Sequence, residues 1–316
     1  MSTRELLQNA HFDRFDKPFD LIESNLGITS VRQCSTELRP GEIAIKAAKA
    51  ALAKSEVKNT EIDAVFYCGM SRDYTEPSTA HKVADELDIN AKFCWDQADA
   101  CHGLTTGLIT VNALIQNGQI RSALVCTGER ASKGTNYITE QFNKGTLTAA
   151  DINDTLGAFS VGDAGGAFIV SVSEDGKGIE SINTQCDSRQ RQLCYVDWEN
   201  SSFAMKMGLI CSRTIKLVAN MLPKTLNNLD WQRDDIDFML AHQVGKRPFD
   251  IYLKSMFRLP YEKSIRTYKE MGNLTSASIA VSWDLLASAG RLRANDKLFI
   301  VSTGSGIVAS QIGITL

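Results

Sequence analysis

Proline is scarce: there are six in 316 residues, and none helps build a Pro/Ser/Gly-rich linker. No low-complexity tract breaks the chain, so tethered independent modules are not expected. A basic surplus is also missing. Lys and Arg number 34 against 37 Asp and Glu, giving a net charge of −3 and a sequence pI of about 5.9. Proteins that grip nucleic acid through its phosphates usually carry the opposite balance. No stretch is apolar for long enough to span a bilayer. The start, Met1-Ser2-Thr3-Arg4-Glu5, lacks the apolar run of a signal peptide. A cytoplasmic location is therefore expected, with neither nucleic acid nor membrane as partner. In that reducing setting eight cysteines are not a disulfide framework, and the question becomes which of them reacts.

What is present is an ordinary globular balance, 43% hydrophobic and 22% charged, which excludes a disordered chain, a collagen-like fibre and a coiled coil. The length suits two packed halves better than one core. Apolar residues recur at helical spacing through Ile43, Ala44, Ala47, Ala48, Ala51 and Leu52, predicting a helix over 41–56. Pro77 opens a second helix, over 77–87. A third follows Cys101 and ends at Gly118. Short apolar strands are expected at 62–68, 92–95 and 123–127. Strands alternating with helices indicate α/β layers with mostly parallel pairing. Three segments then recur in order at offsets of about half the chain. Residues 61–66 match 235–240, 118–121 match 290–293, and 125–128 match 301–304. A duplicated unit is the natural reading. The turn Ser173–Gly178 marks the boundary, giving halves of 1–175 and 176–316.

Cys101 stands apart from the other cysteines. It follows a strand and a polar turn and precedes His102-Gly103 and an amphipathic helix. A thiol at a helix start feels the positive end of the dipole, and the free amides there can hold an oxyanion. Cys68, Cys94 and Cys126 sit in strand patterns and Cys211 in an apolar helix over 207–221, so all four read as core. Cys186 and Cys194 are too far apart for a C-x-x-C motif, and no metal site is assigned. Among the histidines, His11 and His81 read as exposed. His102 is the immediate neighbour of the thiol and so diverges from it on a helix. His242 closes a strand over 236–241, the kind of place where open α/β sheets put their sites. Asn273 stands between Gly272 and a Thr/Ser cluster. Spacing alone leaves it a turn or cap residue, and nothing in spacing joins Cys101, His242 and Asn273.

Taken together, these blocks resemble the thiolase superfamily, and within it the β-ketoacyl-acyl carrier protein synthase III group. Asp96–Ser132 is similar to the nucleophile block, and Val161–Ala167 to the F-G-D-G-A-G-A stretch. Ala241-His242-Gln243 resembles the start of H-Q-A-N. Gly272-Asn273 with Ser276-Ala277-Ser278 resembles G-N-T-S-A-A-S, and Gly304-Ser305-Gly306 the terminal glycine-rich turn. The resemblance implies a duplicated α/β/α/β/α five-layer thiolase-like fold of the α/β class. It implies catalytic Cys101, His242 and Asn273, and an oxyanion hole from the backbone amides of Cys101 and Ser305. Acyl thioesters of acyl carrier protein or coenzyme A would be the substrates, with no metal or organic cofactor. Lys246 and Arg247 would dock an acidic carrier protein. A dimer, homomeric or with a related subunit, is implied as well.

The departures bear on substrate. Leu21 and Thr155 stand where the family has the Trp and Arg that clamp the coenzyme A adenine, and Gly245 replaces the Asn of H-Q-A-N. The family's N-terminal strand is missing or shortened before Phe19. Glu76 takes the place of the Phe at the acyl pocket end, and His102 that of a small residue. The pattern suggests decarboxylative condensation in fatty-acid-derived or polyketide secondary metabolism. Two alternatives stay open: acyl transfer to an oxygen or nitrogen nucleophile, and a partner subunit of a heteromeric synthase.

Overall fold

The apolar run at 62–68 becomes β1 (Ala64–Tyr67), buried throughout, in a computed structural model that describes residues 1–197 and 202–316. The further strands are β2 (Phe93–Asp96), β3 (Ser122–Glu129), β4 (Ala164–Ser171), β5 (Gly178–Cys186), β6 (Cys194–Asp197), β7 (Ser202–Met205), β8 (Phe238–Ala241), β9 (Lys297–Gly304) and β10 (Val308–Thr315). The helices are α1 (Thr3–Asn9), α2 (Leu21–Leu26), α3 (Pro40–Ala53), α4 (Thr79–Glu86), α5 (Gly103–Gln116), α6 (Ser132–Lys144), α7 (Ile152–Thr155), α8 (Met207–Leu229), α9 (Lys246–Asp250), α10 (Tyr268–Met271) and α11 (Ser278–Ser288).

Helix ends differ from the sequence reading where capping decides them. In α3 the Glu42 carboxylate reaches back to the Arg39 N–H at 2.6 Å, so the helix starts at Pro40. In α4 the Asp96 carboxylate accepts from the N–H groups of Thr79 and Ala80 at 3.0 and 2.9 Å. Those would otherwise be unpaired donors of the first turn, and Pro77 and Ser78 stay outside the helix. α8 runs past the predicted Met221, because Leu222, Leu226 and Leu229 continue its buried stripe beyond Pro223.

Two four-stranded sheets carry the fold. One has the order β2-β1-β3-β4 and the other β5-β10-β9-β8; β6 and β7 pair separately. β1 is parallel to β2 and β3, and β8 to β9. β4 runs antiparallel to β3, and β10 to both β9 and β5. The expectation of mostly parallel pairing is thus corrected: half of the pairs in these sheets are antiparallel. A connection as short as 305–307 can join β9 to β10 only in that sense. The repeated segments fall on corresponding elements. β1, β3 and β4 succeed one another in the first sheet as β8, β9 and β10 do in the second.

α3 and α4 cover the outer face of the first sheet, and α8 covers the second. Buried residues of α5 and α11 lie between the sheets. That stacking is helix, sheet, helix, sheet, helix. The expected division after residue 175 falls in the turn from β4 to β5, and packing crosses it. Leu7, Phe12 and Ile22 share a buried cluster with Met221, Phe249 and Phe257.

Candidate active site

The parallel strands deliver their C-terminal ends to one region. β2 leads to Asp99, then to a single 3-10 turn, Ala100–His102, that runs into α5. Ala100 has φ +46°, a left-handed conformation for a residue with a Cβ, which sharpens the turn that presents Cys101. β8 ends in His242, whose N–H donates to the Val301 carbonyl at 2.9 Å. β9 and β10 are joined through Ser305. Asn273 is held by its backbone, donating to Ser160 at 2.8 Å and accepting from Gly162 at 2.9 Å. Cys101, His242, Asn273 and Ser305 all line one cavity of about 1060 Å³.

Burial sets the electrostatics. It pushes the Cys101 thiol well up, aided by the nearby Cys194 and Glu129. The resting sulfur is therefore a thiol. Burial also lowers His242 to about 4, helped by His102 and opposed by a bond to the Thr275 backbone. A neutral imidazole follows at neutral pH. Its Nδ1 lies 3.1 Å from the Ser278 hydroxyl, so Nε2 is the nitrogen left to act in the cavity. Asn273 Oδ1 accepts from the Thr275 N–H at 2.9 Å, leaving Nδ2 as a donor. Glu129, fully buried, accepts from the N–H groups of Met70 and Ser71 at 3.0 and 3.2 Å and from the Ser276 hydroxyl. It pins the end of β3 to the loop after β1.

Some residues fall elsewhere. Glu76 is exposed on the loop before α4 and does not line the cavity that holds Cys101. Lys246 and Arg247 are exposed at the start of α9, with Lys246 paired to Asp250 at 2.5 Å. Thr155 is buried and donates its hydroxyl to Asp151 at 2.9 Å. Cys211 is a correction: it is half-buried and lines the cavity that holds Cys101 rather than the core. α8 turns it toward the space beneath β6 and β7. Cys194 lines the cavity too, its thiol hydrogen-bonded to Ser305. Tyr195, Met205 and Met207 complete that wall. Sequence reasoning missed Cys194, Tyr195 and Met205 because a short hairpin leaves little periodicity to read, and Met207 because periodicity does not tell a core from a cavity wall. A second cavity of about 600 Å³ shares Met70, Arg72, Val161, Tyr195, Met205 and Thr275 with the first and adds Arg130, Lys133 and Tyr137.

Two duplicated sheets with helices between and outside them define a thiolase-like condensing-enzyme fold. A crystal structure of a cysteine-to-serine variant of Xanthomonas campestris OleA, with bound lauric acid and lauroyl-CoA, superposes with a TM-score of 0.93. It is 23% identical, and the match covers 100% of this chain and 95% of that one. The family model for 3-oxoacyl-acyl-carrier-protein synthase III matches residues 95–189, and its C-terminal counterpart matches residues 226–314. The chain belongs to that family. Among its relatives, the β-ketoacyl-acyl-carrier-protein synthase III of Bacillus pumilus is 25% identical over 93% of this chain and 88% of that protein. The acyl-CoA:acyl-CoA alkyltransferase of Xanthomonas campestris is 25% identical over 95% and 89%.

Proposed function

We propose that this protein is an acyltransferase of the condensing type, and that Cys101 carries the acyl group. The observation that bears this reading is the convergence of Cys101, His242, Asn273 and Ser305, from four distant stretches, on one cavity. The Cys101 sulfur attacks the carbonyl carbon of an acyl thioester. A new sulfur–carbon bond forms, and the carrier thiol leaves with the proton. The amides of Cys101 and Ser305 hold the oxyanion between. A malonyl-type thioester then enters and loses carbon dioxide. Its enolate oxygen receives hydrogen bonds from Asn273 Nδ2 and from His242 Nε2–H, in the tautomer whose Nδ1 accepts from the Ser278 hydroxyl. The enolate carbon attacks the acyl carbon, the bond to sulfur breaks with its electron pair on Cys101, which takes a proton from water to restore the thiol, and a β-ketoacyl thioester leaves. The donors are acyl carrier protein or coenzyme A thioesters. Lys246 and Arg247 are the docking site for an acidic carrier. Glu76 stands at the acyl-pocket end of a partner subunit, where a carboxylate makes that end polar, open or otherwise filled. Fatty-acid-derived or polyketide specialised metabolism is the setting, in the cytoplasm.

Incubation with a panel of acyl thioesters followed by intact-mass measurement tests the first step. One added acyl group, absent in Cys101→Ala, is expected. Asn273→Ala is expected to load normally and fail to form the carbon–carbon bond. Loading that survives Cys101→Ala would overturn the assignment. A second reading, condensation of two acyl thioesters without decarboxylation, is favoured by the second cavity beside the first. Release of carbon dioxide from a malonyl thioester separates the two. Acyl transfer to an oxygen or nitrogen nucleophile needs Cys101 and His242 only, and the presence of Asn273 weighs against it.

A further inference from the structure

The residue after the nucleophile is a buried histidine with every ring nitrogen engaged. His102 is 1% exposed. Its Nδ1 lies 3.0 Å from Asp99 Oδ2 and 2.8 Å from Thr106 Oγ1. The Thr106 hydroxyl donates to the same Asp99 oxygen at 2.6 Å. On the other side Nε2 lies 2.8 Å from the Ser310 hydroxyl, which meets Thr184 Oγ1 at 2.7 Å. The ring therefore joins three pieces of chain. Asp99 precedes the nucleophile turn, Thr106 belongs to the first turn of α5, and Ser310 sits on β10. Burial works to raise the Asp99 carboxyl, but bonds from His102 and Thr106 bring it below its ordinary range.

Two further observations say what this junction holds. Ala100, inside the bracket made by Asp99 and His102, is left-handed at φ +46°. A residue with a Cβ is strained in that conformation, so the turn relaxes unless its surroundings hold it. Gly304 is the second. A Cβ there would lie 2.9 Å from the His102 Cβ and 3.1 Å from the His102 nitrogen. The His102 backbone is thus seated against the end of β9, one residue before Ser305.

Building on the proposed acylation of Cys101, we infer that His102 is a positioning residue for the loading step: it fixes the Cys101 turn against the β9–β10 turn, and with it the spacing of the two amides that hold the oxyanion. The imidazole never touches substrate in this role. Its effect is geometric, and a displacement of about an ångström in such a site costs on the order of a hundredfold in rate.

The test is the time course of acyl loading on Cys101, followed by intact mass with a saturating and a subsaturating acyl-coenzyme A thioester. His102→Ala is expected to slow the loading rate constant at saturation by about tenfold or more. The final one acyl group per chain is expected to survive, with half-saturation unchanged. His102→Asn, which keeps a donor near the Nδ1 position, is expected to restore part of the rate. Ser310→Ala removes one anchor in a near-isosteric way and is expected to give an intermediate rate. A packing role alone would lower the loaded endpoint or the melting temperature and leave the rate constant of the loaded fraction at the wild-type value. That result for His102→Ala overturns the inference. If His102→Ala does not fold, Ser310→Ala and Thr106→Val carry the test, and wild-type rates in both overturn it. Failure of the acylation reading itself looks different, because Cys101→Ala would then still be loaded.

Discussion

Gly103→Ala isolates the contact on which the nucleophile turn depends. Gly103 opens α5 directly behind Cys101 and His102. A Cβ at this position would lie 2.1 Å from the carbonyl oxygen of Cys68, which follows the end of β1, against about 3.4 Å for ordinary contact. The opposing atom is backbone, so no rotamer change relieves the clash. The turn must retreat by roughly 1.3 Å, the difference between those two distances. Two effects on stability oppose each other. Ala over Gly favours the helix by up to about 1 kcal/mol, and the overpacking costs about 1–3 kcal/mol. The net loss of stability is therefore modest. Loading has no such offset, and a retreat of this size is expected to slow it on the order of a hundredfold. Thermal melting and the intact-mass time course measure the two separately. Gly208→Ala in α8 is the control, since a Cβ there meets nothing within 4 Å; it should load normally and gain about 0.5–1 kcal/mol. Loading by Gly103→Ala within about threefold of wild type would refute the claim that this close approach sets the position of Cys101.

Three other outcomes follow from the same structure. His242 is neutral when folded and ordinary when unfolded, so the unfolded chain binds the extra proton between its usual pKa of 6.5 and the folded value of about 4. Stability attributable to it is present above 6.5 and is lost as pH falls toward 4, by up to about 3 kcal/mol; in chemical denaturation His242→Gln should flatten that part of the slope, and an unchanged slope would contradict the burial argument. Asp163 accepts from the Ser132 N–H and hydroxyl at 2.8 and 2.7 Å and from the Cys34 N–H at 2.9 Å. Asp163→Ala strands these donors and should cost about 3 kcal/mol or more in denaturant titration; a loss under about 1 kcal/mol would mean that water replaces them. Phe142, fully buried, meets Phe12 edge to face at 5.2 Å and Phe159 at 6.4 Å. Phe142→Ala should cost about 3–5 kcal/mol with the Cys101 cavity unaffected, read as a lower melting temperature with an unchanged loading rate.

Strands and helices were legible where one face is buried and the period is regular. β1 lies within two residues, and α3 within three, of the predicted bounds for that reason. The end of α4 nearest Pro77 was not legible, because the Asp96 that caps it is distant in sequence and reaches it only across the fold. Cys211 misled for a related reason. Its apolar neighbours describe a buried helix, but periodicity cannot tell a core from the wall of a cavity. The β6–β7 hairpin, which supplies Cys194 and Tyr195, offers four residues per strand and no pattern long enough to read.

The sequence by itself determined the class of layers, the duplication, and Cys101 as the cysteine worth following. Each of these is written in local order: a period of two or 3.6, a repeated offset, a thiol between a strand and a helix. Only the tertiary structure decided that Cys101, His242, Asn273 and Ser305 share one cavity, and that His102 faces Asp99 and Ser310 rather than the thiol beside it. Those relations join residues up to 208 positions apart. They depend on how two sheets pack across their intervening helices, and spacing along a chain carries no record of that distance.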